Sequence, residues 1–140
     1  MMITTKGRNA LKLMIDLADH YGEGYISLAD IAERQKESVK YLEYTASQLS
    51  SSGLIVSARG KAGGYRLSRA PEEYTAAEIL LSGEGSLAPV HCLEVGAVPC
   101  ENAASCVTLP LFKELDDVIM NFLNSKTLAD LIKPDESKAQ

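Results

Sequence analysis

Between positions 27 and 68 the chain reads as two short helices joined by a polar turn and followed at once by a hairpin, an order that few folds besides a winged helix accommodate. Ser27 can cap a helix whose Leu28, Ile31 and Ala32 face inward, with Asp30 three residues on as the reciprocal carboxylate. That helix stops at the polar break Gln35-Lys36-Glu37, and Ser38 offers a fresh N-cap. A third helix then runs to about Ser51 with Val39, Leu42, Ala46 and Leu49 inward, closed by Gly53. Residues 54–58 read as a strand, Arg59-Gly60-Lys61-Ala62-Gly63 as a glycine-rich basic turn, and residues 64–68 as the returning strand.

The flanks extend this nucleus. Ala10, Met14, Leu17, Ala18 and Tyr21 follow i, i+4, i+7, i+8, i+11, predicting an amphipathic first helix that ends near Gly22 and Gly24. Thr75 with Glu78 repeats the capping signal and starts a helix over 76–81, ended by Ser82-Gly83-Glu84-Gly85. Residues 86–108 carry no period, and Pro89 and Pro99 break any helix, so a loop is expected. Pro110 opens a further helix whose Leu111, Leu115, Val118, Ile119, Phe122 and Leu123 form a stripe wider than one small domain can cover, which predicts a dimer seam. Thr127 with Asp130 caps a last short helix. The expected fold class is mainly α with a small β wing. Residues 1–83 form the winged helix-turn-helix domain, 84–108 a cysteine-containing loop, 109–133 the dimerisation helix with a short terminal helix, and 134–140 a disordered tail.

The net charge of −5 hides an asymmetry. Residues 1–70 hold ten Lys/Arg against seven Asp/Glu (+3), and residues 71–140 hold four against twelve (−8). An anionic partner would meet the first half, where Arg59, Lys61, Arg66 and Arg69 form the densest basic cluster. In the third helix Tyr41, Tyr44 and Gln48 stand at i, i+3, i+7. Near its start, Ser38 and Lys40 suit phosphate or base contacts, and Glu43 can accept from cytosine N4. Arg59, with Gly60 and Lys61 at the wing tip, suits a narrow minor groove. A single recognition helix and wing covers too little DNA for useful specificity, so a homodimer on a pseudo-palindromic double-stranded site is expected.

Cys92, Cys100 and Cys106 all lie within one fifteen-residue stretch. An odd count without an export signal disfavours a disulfide framework and leaves an iron–sulfur cluster, zinc held with His91, or redox-sensing thiols. His91, Glu94 and Glu101 are the local candidates for a further ligand, with His91 preferred. Two histidines, no Gly-x-Ser-x-Gly and no P-loop argue against an enzyme. No apolar run approaches the roughly 18 residues of a membrane span, and the start MMITTKGRN lacks a signal peptide's apolar core, so a cytoplasmic protein is expected.

Thr4-Thr5-Lys6-Gly7-Arg8, Leu28-Ala29-Asp30-Ile31-Ala32-Glu33-Arg34-Gln35, Lys40-Tyr41-Leu42-Glu43, Ser57-Ala58-Arg59-Gly60, Gly63-Gly64-Tyr65 and Thr127-Leu128-Ala129-Asp130-Leu131 together carry a resemblance that covers nearly the whole chain. The sequence resembles the Rrf-type winged-helix transcriptional regulators of the IscR-like, iron–sulfur cluster kind. The resemblance implies a DNA-binding regulator, typically a repressor, whose three loop cysteines hold a 2Fe-2S or 4Fe-4S cluster that modulates DNA affinity. Such members complete the site with a histidine three residues past the last cysteine, where this chain has Leu109. Nitric-oxide-sensing relatives use an acidic residue of the partner's first helix, where this chain has Arg8. The resemblance therefore leaves the fourth ligand open. A competing class is a non-DNA protein, either a small electron carrier or an adaptor that docks a metabolic enzyme, as some members of this family do.

Overall fold

A computed structural model describes residues 3–94, 96–97 and 101–132. Among the described residues, six α-helices and one antiparallel hairpin follow in the order α1 (Thr5–Asp19), α2 (Leu28–Gln35), α3 (Val39–Ser51), β1 (Ile55–Ala58), β2 (Gly64–Leu67), α4 (Ala76–Glu84), α5 (Leu109–Asn124) and α6 (Leu128–Ile132). The expected class, mainly helical with a two-stranded wing, is the observed one.

Local capping chemistry sets the helix starts. The Ser27, Ser38 and Thr75 hydroxyls each accept the backbone N–H three residues on, from Asp30, Tyr41 and Glu78. Thr127 and Asp130 cap reciprocally, at 3.1 and 2.9 Å. Lys36 takes the left-handed conformation at the end of α2 (φ 55°), which turns the chain tightly into Ser38.

The core gathers Leu13, Met14 and Leu17 of α1, Ile31 of α2, Leu42, Ala46 and Leu49 of α3, Ile55 and Leu67 of the wing base, and Ile79 of α4. Tyr74 is fully buried among them, and its hydroxyl donates to the Leu54 carbonyl at 2.6 Å while accepting the Arg69 N–H at 3.0 Å. Leu128 of α6 is also fully buried in this core, so the chain returns to the domain after α5. A backbone bridge secures the return: the Ala76 N–H donates to the Lys126 carbonyl (2.8 Å) and the Leu128 N–H to the Tyr74 carbonyl (3.0 Å).

In the wing, Val56 pairs with Arg66 and Ser57 with Tyr65. Ile26 adds a third rung on the far side of β2, exchanging two backbone hydrogen bonds with Tyr65 at 2.8 and 2.9 Å. That approach demands glycine at position 64, where φ is +150° and a Cβ would fall 2.1 Å from the Ile26 carbonyl oxygen.

Three expectations change. α1 ends at Asp19, so Tyr21 lies past the helix and is 52% exposed instead of continuing the apolar stripe. Val39, the first residue of α3, sits where the helix leaves its cap and is 40% exposed instead of inward. α4 continues through Ser82-Gly83 to Glu84, because Gly83 is a packing glycine and the helix stops only at Gly85 (φ 82°). A Cβ on Gly83 would lie 2.9 Å from the Lys6 carbonyl oxygen and 3.0 Å from the Gly7 Cα, so α1 and α4 cross in near backbone contact. One residue on, the Glu84 carboxylate accepts from the Thr4 hydroxyl (2.6 Å), the Thr4 N–H (2.8 Å) and the Gly7 N–H (2.9 Å), closing the N-terminus of α1.

Candidate DNA interface and cysteine loop

α3 has one face sealed by Leu42, Thr45, Ala46 and Leu49, which leaves Ser38, Val39, Lys40, Glu43, Tyr44 and Ser47 exposed on the other. Gln48 is half-buried, and its amide donates to the Tyr44 hydroxyl at 3.1 Å, so these two predicted contacts form one preordered polar unit. Tyr41 is half-buried too and packs partly against the domain. Capping α3 uses the Ser38 oxygen as acceptor and leaves its hydroxyl proton available. Val39, read as a core residue, instead adds an apolar contact surface beside Ser38 and Lys40.

Orientation of this face depends on α2, which is fixed to α1 by a bidentate ion pair. Arg34 Nη2 and Nε reach the buried Asp16 carboxylate at 2.6 and 3.0 Å. Donating to the Asp16 carboxylate, opposed by partial burial, raises the Arg34 pKa. No motif marks this pair, although an acidic residue on an apolar helix face was a signal that it needed a partner.

The basic cluster divides. Arg59, Gly60 and Lys61 are exposed at the wing tip. Arg69 belongs elsewhere: its guanidinium pairs with Glu78 Oε1 at 2.6 Å and lies 4.4 Å from the Tyr74 ring centre. The hydrogen bond it donates to Glu78, against partial burial, raises the Arg69 pKa. This arginine ties the wing base to α4, and is not an open anion contact. Arg66 lies over the Tyr25 ring at 4.9 Å.

In the loop, Cys92 sits exposed in a 3-10 turn and Cys106 lies just before α5; both are free thiols. Cys100 lies outside the described residues, as do positions 133–140 with the predicted tail. Among the described residues, no group of three His, Cys, Asp or Glu side chains is placed to hold a metal ion. The Cys106 sulfur lies 3.4 Å from the Thr108 hydroxyl. That hydroxyl and the backbone N–H groups of Thr108 and Leu109 hold the thiol below its ordinary pKa, because all of them favour the thiolate. His91 is 89% exposed, with Nδ1 3.0 Å from Glu94 Oε2, and Glu101 is exposed. Leu109 is the first residue of α5, and Arg8 is exposed on α1. On α5, no residue is buried, and Leu111 (62% exposed), Leu115 (41%), Val118 (64%) and Phe122 (59%) stand open, with Ile119 half-buried beside them.

Known proteins match this architecture. Residues 3–134 match the family model Rrf2, described as an iron-dependent transcriptional regulator. The HTH-type transcriptional regulator IscR of Photorhabdus laumondii is 39% identical over 136 residues, covering 97% of this chain and 82% of that protein. CymR (YrzC), the global cysteine regulator of B. subtilis, superposes with a TM-score of 0.76 at 39% identity, over 94% of this chain and 96% of its own. IscR of T. potens gives 0.76 at 35% identity, over 100% and 93%. The family match over nearly the full length, the identity to IscR and the shared fold together make the chain a member of the Rrf2 family of transcriptional regulators.

Proposed function

We propose that the chain acts as a homodimeric, sequence-specific DNA-binding repressor whose affinity for a pseudo-palindromic site is modulated by an iron–sulfur cluster held by Cys92, Cys100 and Cys106. The observation that carries the DNA reading is the outward face of α3. Its polar and aromatic groups stand free of the core while Arg59 and Lys61 project on the wing beside it. Ser38, Lys40, Glu43 and the Tyr44–Gln48 unit would contact base edges and phosphates, with Tyr41 flanking them. Arg59, followed by Gly60 and Lys61, would enter a minor groove.

The dimer reading rests on α5. Leu111, Leu115, Val118 and Phe122 expose an apolar stripe that a second copy would cover, with Ile119 at its edge. The 1–83, 84–108 and 109–133 units then serve as reading head, sensing loop and dimer support, with α6 anchoring the last to the first.

The cluster reading rests on donor chemistry. Cys92 and Cys106 are free and open to solvent at least in part, and the surroundings of Cys106 favour the thiolate that iron binds. When bound, a cluster supplies redox-active iron whose loss or change of state shifts the loop's arrangement. Of the local candidates for a fourth ligand, His91 retains Nε2 while Nδ1 engages Glu94. The same Cys106 geometry supports a second reading, in which the thiols act directly as redox switches.

One experiment separates these. Protein purified without oxygen is assayed for iron, acid-labile sulfide and zinc, then used to select genomic DNA fragments at moderate salt. The proposal expects iron with sulfide, an enriched palindromic motif and a change in affinity when the cluster is lost. Arg59→Ala should weaken binding by about 1–3 kcal/mol. Protein without metal that still selects the motif, and responds to thiol oxidation, favours the switch reading. Zinc without sulfide favours a structural metal, and no enriched motif under any condition favours an adaptor.

A further inference from the structure

Between the end of α1, the connector that follows it and β2 lies a cavity of about 500 Å³, within the size range of small-molecule sites. Its lining includes the apolar Leu17, Ile26 and Leu67 and the polar His20, Tyr21, Arg66 and Ser68. Of these wall residues only Arg66 bears a permanent charge, and none is an Asp or Glu, although the chain's net charge is −5. Three further clefts each include a carboxylate: Asp16 and Asp19 in one, Glu78 in another, Glu23 and Asp30 in the third.

Arg66 makes no ion pair among the described residues, whereas Arg34 and Arg69 each have a carboxylate within 2.6 Å. Its guanidinium instead lies 4.9 Å from the centre of the Tyr25 ring, a contact that steadies the group without occupying its N–H donors. His20 is held by its Nδ1, 2.9 Å from the Asp16 carbonyl oxygen and 3.7 Å from the Asp16 carboxylate that Arg34 pairs, which leaves Nε2 as its remaining polar atom. The Ser68 hydroxyl donates its one proton to the Gly53 carbonyl at 2.9 Å, so the charge of an anion in the cavity falls to Arg66.

We propose that this cavity binds a small organic carboxylate with an apolar body, its charge received by Arg66 and its body by Leu17, Ile26 and Leu67. A compound seated there would touch both α1 and β2, and so would bear on the angle of the wing. The inference stands apart from the cysteine loop, and its test uses no DNA, so its failure leaves the regulator reading intact.

The test is amide NMR of the full chain titrated with hexanoate and benzoate, each compared with its neutral counterpart, hexanol and benzyl alcohol. Saturable shifts at Tyr21, Leu67 and Ser68 are expected with the acids, which should bind about tenfold or more tightly than the alcohols, as a charge-assisted contact implies. Arg66→Gln should reduce acid binding to the level of the alcohols, while Lys113→Gln, on α5, should leave it unchanged. Absence of saturable shifts, equal affinity for acid and alcohol, or undiminished acid binding by Arg66→Gln overturns the proposal. Should Arg66→Gln fail to fold, the acid-against-alcohol comparison on the wild-type chain decides it alone.

Discussion

Glu84 binds the start of the chain to the far end of the winged domain through three donors on two residues. Partial burial alone would push its pKa up, but the Thr4 hydroxyl, the Gly7 N–H and the Thr4 N–H outweigh burial and hold the carboxyl below its ordinary value. A carboxyl depressed in the folded state stabilises fully above its unfolded pKa and loses that contribution as pH falls through the folded one. Glu84→Gln should therefore cost about 1–2 kcal/mol near neutrality, and the gap in melting temperature from wild type should shrink as pH drops below the ordinary carboxylate range. A gap independent of pH would show that the charge plays no part. Nothing in the sequence singles out Glu84, because its role exists only once α1 and α4 cross. Ser38 and Thr75 were legible as caps since their partners lie three residues away. Arg69 was misread because a basic residue near a wing looks alike whether it meets DNA or, as here, Glu78 and Tyr74.

Elements whose signals are local were read nearly to the residue. The hairpin and its turn, α2 and α3 with their caps, and α6 with its Thr127–Asp130 box all stand where periodicity and capping place them. α4 was drawn short because Gly83 carries the residue type of a helix stop while serving as a contact. The two effects at this site can be set against each other. Gly83→Ala gains about 1 kcal/mol of helix propensity, but the new methyl meets the backbone of Lys6 and Gly7 at 2.9–3.0 Å, an overpacking that costs typically 1–3 kcal/mol. The expected outcome of thermal unfolding is a net loss of stability, and a rise in melting temperature would show that the crossing yields freely. Legibility also ended at the cysteine loop. The three thiols were visible as a set, yet their spacing has no period from which a relative placement could be built.

For the molecule as a whole, the exposed stripe on α5 is the largest departure from a self-sufficient fold. Light scattering at micromolar concentration should find the wild-type chain dimeric, and Leu115→Asp with Ile119→Asp should make it monomeric without unfolding, since neither side chain is in the core. A wild-type monomer would remove both the dimer and its seam. The return of α6 to the core has a further bearing. Residues 85–127 form an excursion whose two ends are clamped, by Glu84 on α1 and by the Thr75–Thr127 bridge. The entropy of closing such a ring grows only with the logarithm of its length, so doubling the loop adds only about 0.6 kcal/mol. The segment between α4 and α5 can thus be lengthened, shortened or rewritten with little penalty to the winged domain. Selection on the chemistry of that segment is thereby uncoupled from selection on whether the domain folds.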